Sequence, residues 1–74
     1  DISNNFSIAP NPASTQFNLL GFQPGDQWTL LSTDGRIVSE GTRSNIEVST
    51  LPRGMYWIRV KRVNGVGVKT VMLK

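Results

Sequence analysis

Covalent chemistry has little to work with in this chain of 74 residues. Histidine and cysteine are both absent. That removes the commonest general base and metal ligand, thiol nucleophiles, cysteine-ligated zinc and iron–sulfur clusters. The five carboxylates, Asp1, Asp26, Asp34, Glu40 and Glu47, are scattered along the chain. No close carboxylate pair is visible for glycosidase-type work, no Ser–His–Asp set can be assembled, and no dense calcium loop is expected. The expectation is therefore a non-enzyme with no metal and no cofactor. What remains is recognition by contact. Trp57, Arg59 and Lys61 recur at a spacing of two, which places them on one face of a strand. A tryptophan among cations suits an acidic or sugar-bearing partner. The plainer reading is a solvated face with one packed tryptophan.

The charge balance narrows the partners. Eight basic residues against five acidic ones give a net charge of +3. The basic residues form no run apart from Arg59, Lys61 and Arg62, so a nucleic-acid partner is not expected. No apolar stretch approaches the roughly 20 residues of a membrane helix. The chain opens at Asp1 rather than Met and shows no export signal, so it reads as a piece cut from a longer protein. One domain is expected at this length, with a small core and no disulfide staple.

The elements that must position these residues are strands. Turn residues recur too often for helices: Pro10 and Pro12, Gly21, Pro24-Gly25, Asp34-Gly35, Gly41, Pro52 and Gly54, Asn64-Gly65. Between them, alternating apolar residues predict about seven short strands. The predicted spans are 6–9, 15–20, 27–33, 36–40, 45–49, 55–61 and 67–73. Phe6 and Ile8, Phe17 and Leu19, Trp28 and Leu30, Ile46 and Val48, and Tyr56, Ile58 and Val60 fall in phase, as core-facing residues do. Leu51 is expected beneath the Pro52–Gly54 turn, and Tyr56 is expected to bury its ring with its hydroxyl satisfied at the core margin. Asp34-Gly35 reads as a two-residue type I′ turn, and Asn64-Gly65 as a second hairpin. The fold class is all-β, a compact antiparallel β-sandwich of immunoglobulin-like architecture without the Cys–Trp–Cys core. An irregular small barrel is the competing fold. Residues 1–5 are expected to be a flexible lead-in from an upstream domain, and 6–74 the folded domain.

Four segments, in order, carry a family resemblance. They are Phe6-Ser7-Ile8-Ala9-Pro10-Asn11-Pro12-Ala13-Ser14, Leu30-Leu31-Ser32-Thr33-Asp34-Gly35-Arg36-Ile37-Val38, Ile46-Glu47-Val48-Ser49-Thr50-Leu51-Pro52-Arg53-Gly54-Met55-Tyr56, and the terminal Lys69-Thr70-Val71-Met72-Leu73-Lys74. Together they resemble the C-terminal sorting domain of the type IX secretion system of Bacteroidetes-type bacteria. Trp28 stands where smaller aliphatics are common in that family, and Ala9 where a bulky aromatic is common. The resemblance implies a label without chemistry of its own. It would direct its N-terminal cargo through the periplasm and an outer-membrane translocon, with a shuttle protein, to the cell surface or the medium. A surface sortase would then remove it, at or before residues 1–5. By resemblance the recognition residues are Pro10, Asn11, Pro12, Gly35, Arg36, Leu51, Pro52, Gly54, Tyr56, Val71, Met72, Leu73 and Lys74.

Each region also has a plainer reading. The Pro10-Asn11-Pro12 corner is stiff and cheap to dock, or is simply a crossover between sheets. The last strand can be lent to a partner by strand addition, or Val71 and Leu73, or Val68 and Met72, close the core. Gly35 and Gly54 serve folding through their φ values. Two rival functions stand beside the sorting reading. One is a binding or adhesion module for carbohydrate or protein, with Trp28, Trp57 and Tyr56 as a stacking platform. The other is a structural spacer, which would show an extensive apolar patch. Exposed edge strands could also pair two copies into a homodimer.

Overall fold

Apolar–polar alternation produces seven strands in the computed structural model, which describes residues 5–63 and 65–74. They are β1 (Ser7–Ala9), β2 (Gln16–Leu20), β3 (Gln27–Ser32), β4 (Ile37–Gly41), β5 (Asn45–Glu47), β6 (Gly54–Arg62) and β7 (Gly65–Leu73). No helix occurs among the described residues. The strands form two sheets, one in the order β1-β2-β5 and the other β4-β3-β6-β7, with every neighbour antiparallel. Two separate sheets make a sandwich and not a barrel. The order matches the A-B-E and C′-C-F-G sheets of immunoglobulin-like folds.

The core lies between the sheets. Phe17, Leu19 and Ile46 face inward from the smaller sheet, followed by Val48 just beyond β5. Trp28, Leu30, Tyr56, Ile58, Val60, Val71 and Leu73 face them from the larger one. All are buried, as the expected phasing requires. Phe6 and Ala13 join from the connecting segments, and Ile8 and Leu51 pack half-buried against the cluster. Tyr56 is a tyrosine corner: its ring is buried near the start of β6, and its hydroxyl donates to the Pro52 carbonyl at 2.7 Å.

Three local expectations change. Asp34-Gly35 is not a type I′ turn, since among the described residues no residue other than glycine has a positive φ. Thr33 and Asp34 occupy the centre of the turn instead, closed by Gly35 N donating to Ser32 O at 2.9 Å, and Gly35 follows at φ +86°. A type I turn followed by a left-handed glycine is the common three-residue hairpin. In the last hairpin Arg62 pairs with Gly65, so Gly65 belongs to β7 and not to the turn. Asn64 lies outside the described residues, as do residues 1–4 of the expected lead-in. β5 ends at Glu47 because the Val48 amide turns to the Thr15 carbonyl, at 2.8 Å.

Candidate functional site

β6 runs nine residues, which at about 3.3 Å each spans most of the molecule's 31 Å long axis. Its two ends define two poles. Gly54, at the start of β6, pairs with Leu73 at the end of β7. Ser32, at the end of β3, pairs with Tyr56, so the Gly35–Arg36 turn lies at the same pole. The Pro10–Ala13 segment arrives there too. Ala13 N donates to the Met72 carbonyl and Lys74 N to the Ala13 carbonyl, both at 2.8 Å, as a parallel bridge to Leu73. The side chain of Asn11 accepts from Met72 N at 3.1 Å. All the residues that the family resemblance marks thus gather at or near one end.

They divide by exposure. Tyr56, Val71 and Leu73 are buried and offer no surface, and Leu51 is half-buried. Pro10, Asn11, Pro12, Gly35, Arg36, Pro52, Met72 and Lys74 are exposed. The corner is a crossover between the sheets. Residues 10–14 leave β1, strap the edge of the other sheet, and return to β2, with their prolines outward. The Ala9–Pro10 and Asn11–Pro12 peptide bonds are both cis. For the last strand, Val71 and Leu73 close the core while Met72 and Val68 face out.

Sequence reasoning missed the residue that fastens this pole. The guanidinium of Arg53 donates to the carbonyls of Ser14, Val48 and Leu51. The Ser14 segment and the Val48–Leu51 turn are thereby held beneath one side chain. Nothing in the Pro-Arg-Gly pattern marks it, because the partners are backbone carbonyls and the Ser14 one is brought in by the fold. On the β3–β4 turn, Ser32 Oγ and the Arg36 amide donate to the Asp34 carboxylate. The serine bond first, then the amide, hold the Asp34 pKa below its ordinary value.

The opposite pole is closed by an ion pair that also left no sequence signal. Arg62 Nε donates to Asp26 Oδ2 at 3.0 Å, with side-chain exposures of 12% and 5%. The same guanidinium donates to Gly21 O at 2.6 Å and to Asn5 O at 3.1 Å. Gln23 N donates to the same oxygen, Asp26 Oδ2, at 2.9 Å. The chain segment at Asn5 is therefore fixed at the pole away from Lys74.

Between the poles, the outward face of the larger sheet carries Leu31 on β3, Met55, Trp57, Arg59 and Lys61 on β6, and Val68 and Met72 on β7. Cross-strand pairs Met55–Met72, Leu31–Trp57 and Arg59–Val68 place them together. A shallow groove beside Trp57 is lined by Leu31, Thr33, Arg59 and Val68. Trp28 and Tyr56 are buried on the inward face, so the three-ring platform does not form. Trp28 lies against Gly41 across the β3–β4 pair, and its Nε1 donates to the Arg43 carbonyl at 2.6 Å. No cluster able to hold a metal ion occurs among the described residues.

Comparison with protein families decides the assignment. The family model of the secretion system C-terminal sorting domain matches residues 7–74. The chain belongs to the type IX secretion C-terminal sorting domain family. No curated protein matches it. The sorting domains of this family are signals, generally non-catalytic, that mark a cargo polypeptide for export to the cell surface or the medium by the secretion machinery. In this sorting domain the matched stretch takes in the strap, both sheets and the terminal strand.

Proposed function

We propose that this domain is a non-catalytic address label whose exposed terminal pole is read during type IX export. The observation that carries the reading is the gathering of the family's motif residues at one pole while the chain at Asn5 is pinned at the other. A cargo domain joined through residues 1–5 would sit away from the surface to be read. Passage runs through the periplasm, where a shuttle protein and the outer-membrane translocon meet Pro10, Asn11, Pro12, Arg36, Pro52, Met72 and Lys74. Gly35 and Gly54 act by shaping the turns beneath that surface, and Leu51, Tyr56, Val71 and Leu73 by holding it rigid. A rigid docking surface loses little conformational freedom on binding, which favours affinity. A surface sortase then cleaves ahead of the folded domain, at or before residues 1–5.

The test is transfer. Residues 1–74 are fused to the C-terminus of an exported fluorescent protein in a bacterium that has the type IX system. Surface or medium fluorescence is expected with the domain and periplasmic retention without it. Mass spectrometry of the exported product is expected to show loss of the domain and a new C-terminus at or before residues 1–5. Retention of the fusion, with the domain shown to be folded, would leave a binding or adhesion module in place of a label.

A further inference from the structure

The outward face of the β4-β3-β6-β7 sheet is more apolar than a solvated surface needs to be. Among the described residues, eight large hydrophobics are exposed, and Ile37, Met55, Trp57, Val66, Val68 and Met72 all stand on this face. They are contiguous, because the register pairs Met55 with Met72, Arg59 with Val68, Lys61 with Val66, and Leu31 with both Trp57 and Ile37. Apolar residues scattered singly need no explanation, but a contiguous patch marks an interaction site. Trp, Met and Arg are also the residues enriched where proteins meet proteins.

Charge selects the occupant. Arg59 and Lys61 stand in the middle strand of the face, whereas Glu40, its carboxylate, lies on edge strand β4. A second copy would bring two net-positive faces together, between chains that each carry +3. A bilayer is met by aromatic side chains that stand clear of the surface. Trp57 instead is more than half covered, at 44% exposure, and walls a groove with Leu31, Thr33, Arg59 and Val68. A groove with an apolar wall and a guanidinium at its side takes a protruding apolar side chain next to a carboxylate.

We propose that this face docks a protein of the export route, which inserts an apolar side chain beside Trp57 and sets carboxylates against Arg59 and Lys61. The proposal rests on the sorting reading and adds a second contact surface, centred on Trp57, Arg59 and Lys61, that adjoins the terminal pole at Met72 and Gly35. It gives the label two faces to be read, so that the pole and the sheet can be bound in turn or together.

The fluorescent fusion tests it in secreting cells. The double variant Arg59→Glu/Lys61→Glu is expected to lower surface fluorescence about tenfold, and Arg59→Lys/Lys61→Arg to leave most of it. The purified variants are expected to melt with the unmutated domain. Should the glutamate pair prevent folding, Thr70→Arg, an exposed neighbour of Trp57, crowds the groove without removing a cation and is expected to give the same loss. A photo-cross-linking amino acid at position 70 is expected to give an adduct with a protein other than the fused cargo. Undiminished secretion of a folded groove variant overturns the proposal, as does an adduct with glycolipid, with the fused cargo or with a second copy of the domain. Secretion of the unmutated fusion beside an unaffected variant removes the docking face and spares the sorting reading. Retention of the unmutated fusion removes both.

Discussion

Truncating Arg62 to methionine would leave the Asp26 carboxylate buried without its guanidinium, and would free the Gly21 and Asn5 carbonyls from it. Stranding one member of a buried pair costs more than the pair itself contributes, so Arg62→Met is expected to destabilise by about 3 kcal/mol in urea unfolding. A loss below about 1 kcal/mol would mean that water reaches the carboxylate. Gly41 is constrained by contact and not by φ. A Cβ there would come within 2.8 Å of Trp28 Cζ2. Gly41→Ala therefore has to displace the indole and its bond to Arg43, at about 1–3 kcal/mol, with a change in tryptophan fluorescence. Tyr56→Phe removes the corner bond to Pro52 and is expected to cost about 1 kcal/mol. At Asp34 the bonds from Ser32 and Arg36 favour the ionised carboxylate, so its folded pKa is the lower one. Its contribution is complete above the ordinary carboxylate value and disappears as pH falls through the lowered one. Carboxyl-carbon NMR should show Asp34 titrating below its ordinary 3.8, and titration at or above that value would contradict the turn geometry.

At the scale of elements, β7 is the strand on which recognition and stability compete. Its inner residues Val71 and Leu73 belong to the core, so deleting 71–74 would unfold the domain as well as remove a signal. Its outer edge at Met72 and Lys74 is occupied by Asn11 and Ala13. Any partner that adds a strand at that edge has to displace the strap first. Asn11→Ala should loosen it with little loss of stability, seen as faster hydrogen exchange at the Met72 amide and little change at Ile58. The strands themselves were legible from alternation: Phe17 and Leu19, Ile46 and Val48, and Tyr56, Ile58 and Val60 all turned inward as their period of two requires. The strap was not, because its partners lie 59 and more residues away in the chain and nothing local to Asn11 or Ala13 announces them. The Asp34-Gly35 turn was legible as a turn but not in type, since the same two residues serve a type I′ centre or the end of a type I turn. The sequence-stretch that sets the difference is Ser32, whose carbonyl closes the hairpin one residue early.

For the whole molecule, the arrangement is polar in the geometric sense. Asn5, Asp26 and Arg62 close one end, and the strap, the Pro52–Gly54 turn and the end of β7 form the other. The motif residues could be gathered from their order in the sequence, but their sharing of one pole could not. That follows from the antiparallel register, which sets Gly54 opposite Leu73 and Ser32 opposite Tyr56. Arg53 and Arg62, the two cations that fasten the poles, were invisible for the same reason: Ser14, which Arg53 reaches, and Asp26, Gly21 and Asn5, which Arg62 reaches, come from other segments. The central claim is that the exposed end of β7 and its strap are what export machinery reads. The most direct measurement is surface fluorescence of the fusion carrying Met72→Glu and Lys74→Glu, side-chain changes that leave Val71 and Leu73 in the core and the Lys74 amide on the strap. Beside it stands Leu19→Ala, which weakens the core without touching the pole. The melting profile and the yield of the pole variant are expected to be unchanged, yet its cargo is expected to stay in the periplasm, while Leu19→Ala is still exported at a temperature where it stays folded. Export of the pole variant at the unmutated level would contradict it.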